Sequence, residues 1–174
     1  MSSINYDLTK IKAFVFDVDG VLSPSVIPLS ENGYPTRMAN IKDGYAIQLA
    51  AKSGYRMAII TGGDSEAVRK RFSLLGINDI YLKASPKLDI LLEWMKKENL
   101  DPEEVVYIGD DIPDLKSMRA VGLPCSPRDG AWEARETALY VSRFDGGYGC
   151  ARDVIEQVMK AQHKWMLDAN AFGW

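Results

Sequence analysis

Short apolar runs and amphipathic segments alternate along most of the chain. Continuous apolar runs are typical of strands that are buried on both faces of a parallel sheet. They predict strands at about 12–16, 55–60, 79–82 and 105–108, with two further short strands near 122–125 and 139–141. The first of these runs ends abruptly in Asp17, Val18, Asp19 and Gly20. A buried strand does not normally end in two carboxylates unless something compensates their charge.

The segments between the apolar runs have the periodicity and end signals of helices. Gly54 and Gly76 follow two of them as stop signals, and Ser85-Pro86 is a favourable helix start, with serine as the cap and proline at the first helical position. The predicted helices cover about 42–53, 65–75, 85–99, a segment ending at 120, and 151–164. Strand and helix thus alternate at least four times, which predicts a Rossmann-like α/β fold with a parallel sheet and helices on both faces.

Residues 24–41 interrupt this alternation. Asn32-Gly33 lies between two short extended runs and predicts a β-hairpin, which we call the flap. The apolar, proline-containing arms of the flap are too small for a core, so we expect it to pack on a neighbouring subunit. A tail with aromatic residues follows at about 165–174, and at 174 residues the whole chain is expected to form one domain.

Composition excludes several function classes. The net charge of −3 argues against a protein that binds nucleic-acid backbones, and the longest apolar runs are too short to span a bilayer. Cys125 and Cys150 are far apart, so neither a disulfide framework nor a zinc site is expected. His163 is the lone histidine and is expected at the surface, which disfavours serine–histidine catalysis. Without a signal-peptide pattern, the predicted location is the cytoplasm.

Polar residues cluster where the predicted strands end. Asp17 and Asp19 follow the first strand, Thr61-Gly62 the second and Asp110-Asp111 the fourth, while Lys87 begins a helix. In open α/β sheets the ligand site lies beyond the carboxyl ends of the strands. Carboxylates suit Mg²⁺, and a helix start with an ammonium group and a hydroxyl suits a phosphate. Taken alone, Asp17 and Asp19 could also be turn residues, with Gly20 supplying a positive φ.

These residues occur in the order of the four motifs of the haloacid dehalogenase superfamily. The resemblance extends over about residues 11–160 and is closest to the small branch without a cap domain that includes the octulosonate 8-phosphate phosphatases. The branch's landmarks are matched by 40–45, by Val68 with Arg71, and by Gly146-Gly147-x-Gly149-x-x-Arg152. The resemblance implies a haloacid dehalogenase-like fold, a sugar phosphate as substrate and a place in lipopolysaccharide biosynthesis.

The resemblance also implies a mechanism. Asp17 would attack phosphorus and form an aspartyl-phosphate, and Asp19 would protonate the departing alkoxide and then activate water. Thr61 and the amide of Gly62 would hold a phosphoryl oxygen, while Lys87 would neutralise developing charge. These roles are chemically coherent, since two displacements allow one acid–base residue to serve both steps.

Further residues are assigned on the same basis. Mg²⁺ would be bound by Asp17, Asp110 and the backbone carbonyl of Asp19. Asp111 and Asp114 would fix Lys87 and bound waters, although Asp114 could equally be a charge partner of a helix N-terminus. The substrate-binding residues would be Asp19, Asn40, Lys42, Asp43, Gly44, Thr61, Gly62, Arg71 and Lys87.

The gaps between the motifs hold no cap domain, so a lone protomer would have an open site. Relatives without a cap close the site by forming tetramers, which implies a homotetramer here. The octulosonate phosphatases usually carry arginine where this chain has Gly63 and Gln48. A nonulosonate 9-phosphate phosphatase is therefore the alternative, although it would have glutamate at the position of Gly63. A rival of another class is a non-catalytic binding module, which should lack one of the catalytic residues.

Overall fold

The computed structural model describes residues 2–167 and 169–173 of the chain. Its centre is a six-stranded parallel sheet with the order β3-β2-β1-β4-β5-β6. The strands are β1 (Ala13–Phe16), β2 (Arg56–Ile60), β3 (Asp79–Tyr81), β4 (Val105–Ile108), β5 (Leu123–Ser126) and β6 (Tyr140–Val141). β1 lies in the middle and pairs with β2 on one side and β4 on the other. The loops after these three strands therefore leave the sheet side by side.

Helices cover both faces of the sheet, as the sequence predicts. They are α1 (Ile41–Lys52), α2 (Glu66–Ser73), α3 (Lys87–Glu98), α4 (Leu115–Met118), α5 (Trp132–Thr137) and α6 (Cys150–Ala161). Phe14 and Phe16 of β1 belong to the hydrophobic cluster beneath α1 and α6. Ala13 and Val15 belong to the opposite cluster, which includes Trp94 of α3. This alternation buries both sides of β1 and explains why its sequence is uniformly apolar.

The α/β fold class is confirmed, with differences at the element ends. Of the two polar residues before α2, Asp64 and Ser65, the structure has Ser65 as the cap, since its side chain accepts a hydrogen bond from Val68 N. Pro86 occupies the N-cap position of α3 rather than the first helical position, and it is not assisted by a capping side chain. Helix α6 ends at Ala161 instead of about residue 164. Helix α5 was not predicted, because only Ala134 in it is buried and so short a helix shows no apolar periodicity.

The flap folds back on itself but contains no regular strand pair. Leu29 and Pro35 form an isolated antiparallel bridge. The turn between them is closed by hydrogen bonds from Ser30 N to Tyr34 O (3.1 Å) and from Gly33 N to Ser30 O (2.8 Å). The flap is thus a hairpin-like loop that ends at Asn40, the N-cap residue before α1.

The tail returns to the body of the protein. Trp165 packs against the core, and the Tyr45 hydroxyl donates a hydrogen bond to the carbonyl of Ala171, which is buried. Phe172 is exposed, and Trp174, the other predicted aromatic anchor, lies outside the described residues. None of the described helices combines the length and the apolar character that crossing a bilayer requires.

Candidate active site

The loop after β1 is a tight turn that presents Asp17 and Asp19. The amides of residues 21–23 converge on the carbonyl of Val18 at 2.9–3.1 Å. Gly20 has a φ of +85°, and a β-carbon there would lie 1.9 Å from Oδ2 of Asp110. Glycine is required at this position both for the backbone conformation and for the close approach of the Asp110 carboxylate.

Lys87 joins two acids from different loops. Its Nζ lies 2.9 Å from Oδ2 of Asp17 and 2.8 Å from Oδ1 of Asp114, and all three side chains are buried. Asp114 also accepts hydrogen bonds from the Tyr107 hydroxyl (2.8 Å) and from Asp110 N (3.2 Å). Burial by itself would lower the pKa of Lys87, but Asp17 and Asp114 raise it above its ordinary value. Lys87 is therefore a permanent cation beside Asp17.

Carboxylates of Asp17, Asp110 and Asp114 form a compact acidic cluster. One oxygen from each lies within 4.8 Å of the others. Burial and the neighbouring Asp114 raise the pKa of Asp17 to about 7, and burial and the neighbouring Asp17 raise the pKa of Asp110 to about 8. Two buried acids and the partly buried Asp110, with one ammonium group, leave negative charge uncompensated. This donor set fits a hard divalent cation such as Mg²⁺, which prefers oxygen ligands.

Thr61 and Gly62 lie at the end of β2, beside the loop that carries Asp17. Thr61 is buried, and its backbone is held by Thr61 N to Tyr81 O (3.0 Å) and by Ala84 N to Thr61 O (2.9 Å). Its hydroxyl accepts a hydrogen bond from Gly63 N at 3.1 Å. Gly62 is exposed, and a β-carbon there would meet nothing within 4 Å. The edge beside Thr61 is thus open for a ligand.

Asp19 is paired with Arg37, a residue that the sequence analysis missed. Nε and Nη2 of Arg37 donate to Oδ1 and Oδ2 of Asp19, both at 2.7 Å. Such a bidentate arginine–carboxylate pair is among the stronger polar contacts in proteins. Its only sequence signal is a charged residue within a largely apolar flap, and nothing in the spacing connects it to Asp19.

Asn40 and Asp43, two of the predicted substrate-binding residues, form hydrogen bonds with backbone groups through their side chains. Asn40 caps α1, because its Oδ1 accepts hydrogen bonds from the amides of Lys42 (2.8 Å) and Asp43 (3.3 Å). Its Nδ2 donates to Gly147 O at 3.1 Å. Asp43 is buried and accepts a hydrogen bond from Arg152 N at 2.8 Å, at the start of α6. Asn40 therefore ties the start of α1 to the glycine-rich segment before α6, and Asp43 ties α1 to the first turn of α6.

That glycine-rich segment supports the catalytic loop. Gly146 lies so close to the loop that a β-carbon on it would be 1.7 Å from Gly20 O. Gly147 N donates to Val21 O at 2.7 Å. Through these contacts the caps of α1 and α6 hold the loop that carries Asp17.

The remaining predicted residues lie on α1, on α2 and at the 3-10 turn after β4. Arg71 lies over α1, where a β-carbon on Gly44 would be 3.0 Å from its Nη2, and Lys42 is exposed. Among the described residues, neither Lys42 nor Arg71 has an ion-pair partner. Asp111 is exposed and accepts a hydrogen bond from Ile112 N (2.8 Å), so the structure places it as the cap of a short 3-10 turn rather than beside Lys87.

A groove of about 1190 Å³ lies apart from this acidic cluster. Its lining includes Tyr140 and Arg143, near the edge strand β6, and Glu156 and Lys160 of α6. None of the acids of the cluster lines it. The groove is thus distinct from the acidic cluster, but it reaches Asn40 and Lys42, two of the predicted substrate-binding residues.

Comparison with known proteins identifies the family. The model of the haloacid dehalogenase-like hydrolases matches residues 38–122. The 3-deoxy-D-manno-octulosonate 8-phosphate phosphatase of Escherichia coli strain K12 is 38% identical over 154 residues, which span 88% of this chain and 82% of the relative. The chain belongs to the haloacid dehalogenase-like hydrolases. The predicted resemblance is thus confirmed.

Solved structures show how closely the hydrolase matches this family. The 3-deoxy-D-manno-octulosonate 8-phosphate phosphatase of Moraxella catarrhalis, in complex with magnesium, phosphate and KDO, is 37% identical, with a TM-score of 0.86 over 90% of each chain. The cobalt-bound deoxy-D-mannose-octulosonate 8-phosphate phosphatase of Haemophilus influenzae is 28% identical, with a TM-score of 0.88 over 95% of the hydrolase and 98% of that chain. The haloacid dehalogenase-like fold without a separate cap domain is confirmed.

Proposed function

We propose that the hydrolase is a Mg²⁺-dependent phosphomonoesterase that converts 3-deoxy-D-manno-octulosonate 8-phosphate to the free sugar acid and phosphate. The observation that carries the proposal is the Lys87 ammonium group bridging Asp17 and Asp114 beside Asp110. The similarity to octulosonate 8-phosphate phosphatases over most of the chain supports the substrate. This activity would place the protein in lipopolysaccharide biosynthesis, as the resemblance implies.

In the first step the carboxylate of Asp17 attacks phosphorus and forms an aspartyl-phosphate. A carboxylate and a phosphate dianion repel each other, so the attack needs positive charge at the site. Lys87 supplies one charge, 2.9 Å from Asp17. Asp17, Asp110 and the carbonyl of Asp19 would hold Mg²⁺, with Asp114 adjacent to it. The bound ion supplies charge compensation on the phosphoryl oxygens.

Asp19 acts as the acid and base. It lies two residues after Asp17 in the same turn and is more exposed, with 35% of its side chain accessible against 10% for Asp17. It therefore faces the open side, where the sugar departs. Asp19 protonates the leaving alkoxide and then removes a proton from the water that hydrolyses the intermediate. Such acid–base catalysis typically contributes about 10²–10⁴-fold.

Thr61 and Gly62 hold the transferred group. The Thr61 hydroxyl and the amide of Gly62 would donate to a phosphoryl oxygen at the end of β2. Among the cations around the site, Lys42 and Arg71 are available to a sugar-acid carboxylate. Asn40, Asp43 and Gly44 are proposed to shape this part of the site through the backbone.

The two alternative functions are hydrolysis of a nonulosonate 9-phosphate and binding without turnover. The lack of arginine at positions 63 and 48 weakens the match to the octulosonate phosphatases, but the glutamate expected at position 63 of a nonulosonate 9-phosphate phosphatase is also lacking. A binding module without turnover would be expected to lack Asp17, Asp19, Lys87 or Asp110, yet all are present and converge. Hydrolysis of the octulosonate phosphate accounts for more of the observations.

The proposed enzyme is a single-domain cytoplasmic protein that assembles as a homotetramer. Val26, Leu29 and Tyr34 of the flap are 84%, 77% and 75% exposed, which is unusually large for neighbouring apolar side chains. Closed symmetry allows such a surface to be buried against another copy of the chain. Cys125 and Cys150 are free and buried thiols, which suits a reducing compartment.

A phosphate-release assay tests the function directly. The purified chain is incubated with octulosonate 8-phosphate, nonulosonate 9-phosphate, arabinose 5-phosphate and 4-nitrophenyl phosphate, each with Mg²⁺ and with a chelator. We expect the highest kcat/KM for octulosonate 8-phosphate and no turnover in the chelator. Preference for the nonulosonate would overturn the substrate, and absence of Mg²⁺-dependent phosphate release from every compound would overturn the class.

A further inference from the structure

Arg37 is a partly buried cation on an exposed flap. Its side chain is only 11% accessible, whereas Val26 and Leu29 of the same flap are largely exposed. Its two bonds to Asp19 run from Nε to Oδ1 and from Nη2 to Oδ2 at 2.7 Å each. The guanidinium group thus occupies both oxygens of the carboxylate that the mechanism needs for proton transfer.

The position of Arg37 is prepared by two distant contacts. A β-carbon on Gly63 would lie 2.5 Å from Nη2 of Arg37 and 3.1 Å from its Cζ, so a side chain at residue 63 would require the guanidinium group to shift. The residue after Arg37 is also held, since Met38 N donates to Ser23 Oγ at 3.1 Å. The guanidinium group of Arg37 therefore reaches from the flap into the space beside Gly63 that a side chain at residue 63 would otherwise fill.

The pairing conflicts with the chemistry assigned to Asp19. To pass a proton to the leaving oxygen, Asp19 must have one oxygen free and facing the substrate. Because arginine forms the same bidentate hydrogen bonds with carboxylates and with phosphates, another oxyanion is the natural replacement for Asp19 as its partner. The substrate carries two such groups, its phosphoryl group and its carboxylate.

We infer that Arg37 is a substrate-binding residue that exchanges Asp19 for an oxyanion of the substrate. The inference rests on the proposed function for the identity of that substrate. Asp19 faces the departing sugar, so Arg37 lies on the leaving-group side of the phosphoryl site. Binding of the substrate frees Asp19 as it engages Arg37, which couples recognition to the availability of the acid–base residue.

Three variants test the inference: Arg37→Gln, Arg37→Lys and Gly63→Ala. Gln removes the charge, Lys keeps it without the bidentate geometry, and the added β-carbon at 63 displaces the guanidinium group. Arg128→Gln is the matched control, because Arg128 forms the same bidentate pair with Asp145, at 2.7 Å for both bonds, and its side chain is 65% accessible. KM and kcat are measured for octulosonate 8-phosphate and 4-nitrophenyl phosphate, with competitive inhibition by inorganic phosphate. Thermal melting verifies that each variant folds.

We expect Arg37→Gln to raise the KM for octulosonate 8-phosphate about 10- to 100-fold, as for other charge-assisted hydrogen bonds. Arg37→Lys should recover part of the loss, Gly63→Ala should change KM in the same direction, and Arg128→Gln should match the wild type. An increase in KM for octulosonate 8-phosphate alone would indicate that Arg37 binds the carboxylate of the sugar acid. An increase for both substrates, with weaker inhibition by phosphate, assigns it to the phosphoryl group.

Unchanged KM for both substrates in Arg37→Gln, or wild-type KM in Gly63→Ala, overturns the inference, even if kcat falls. Failure of the proposed function gives a different result. The wild type would then hydrolyse 4-nitrophenyl phosphate but not octulosonate 8-phosphate. The effect of Arg37 on the KM for the aryl phosphate and on inhibition by phosphate would in that case still decide whether Arg37 binds an oxyanion.

Discussion

Nζ of Lys87 lies 2.9 Å from Oδ2 of Asp17, and the two side chains come from positions 70 residues apart in the sequence. Lys87 begins α3, while Asp17 follows the central strand β1. The contact is buried, so neither charge is well solvated, and each depends on the other for compensation. In the proposed mechanism this pair marks where a phosphate group would bind, because the cation lowers the repulsion that the attacking carboxylate would otherwise meet.

The first prediction concerns Asp17 itself. Asp17→Asn keeps the shape of the side chain but cannot attack phosphorus, so turnover should fall below about 1% of wild type. The measurement is phosphate release from octulosonate 8-phosphate under saturating Mg²⁺, with melting temperature as the control for folding. A folded variant with higher activity would contradict the covalent mechanism.

Acid–base catalysis is assigned to Asp19 and metal binding to Asp110, so variants of the two residues should have different kinetic effects. Asp19→Asn keeps the backbone carbonyl and should leave the Mg²⁺ dependence unchanged, yet lose about 10²–10⁴-fold in kcat. Asp110→Asn removes a carboxylate and should raise the Mg²⁺ concentration needed for half-maximal activity. The check is a Mg²⁺ titration of both variants, and identical titrations would refute this division of roles.

Asp114 and Tyr107 offer a matched pair of variants. Asp114→Asn removes the charge beside Lys87, so we expect kcat/KM to fall about 10- to 100-fold, the range of a charge-assisted hydrogen bond. Tyr107→Phe removes only one of the donors to Asp114 and should cost less activity. Because it leaves a buried acceptor with fewer bonds, it should still lower the free energy of unfolding by about 1–3 kcal/mol. Steady-state kinetics and urea unfolding provide the two measurements, and a larger kinetic loss in Tyr107→Phe would argue against the proposed role of Asp114.

Stability of the metal-free protein should fall as pH rises. The pKa values of Asp17 and Asp110, about 7 and about 8, lie above the value of about 3.9 for an unfolded chain. Between about pH 4 and pH 8 the native state therefore binds more protons than the unfolded state, so the free energy of unfolding decreases with pH. Mg²⁺ needs ionised carboxylates and should stabilise the protein more at pH 8 than at pH 6.

Melting temperatures at both pH values, with Mg²⁺ and with a chelator, test this dependence. Asp110→Asn is the matched variant, since it removes one of the titrating groups and should flatten the pH dependence of the metal-free protein. A metal-free melting temperature that rises from pH 6 to pH 8 would show that other groups dominate.

The exposed flap should determine the oligomeric state. Val26→Asp with Leu29→Asp places charge on the apolar flap and should convert the proposed tetramer to smaller species in size-exclusion chromatography with light scattering. Leu74→Asp is the control, because Leu74 is 78% exposed but lies at the end of α2. Turnover of octulosonate 8-phosphate should fall with the loss of assembly, while hydrolysis of 4-nitrophenyl phosphate should be affected less. A wild-type protein that runs as a monomer would remove the basis for this prediction.

The fold and the position of the acidic cluster could be predicted from local sequence patterns. Apolar runs identify strands buried on both faces, and parallel strands bring their carboxyl ends to one edge. Once β1, β2 and β4 are recognised as members of one parallel sheet, the loops after them must meet, whatever the exact packing. Asp17, Thr61 and Asp110 follow these strands directly, so their convergence needs no knowledge of side-chain contacts. Lys87 was expected beside them because it begins a helix at the same edge.

Contacts between distant segments decided the rest. Arg37 reaches Asp19 only because the flap returns over the site and Gly63 leaves space there, and neither condition produces a periodic signal. Asp43 caps α6 rather than its own helix, a pairing that depends on how α1 and α6 pack against each other. Helix α5 buries a single residue, so hydrophobic pattern cannot reveal it. Periodicity encodes burial along one element, whereas these features depend on the relative placement of two elements, which exists only after the chain has folded.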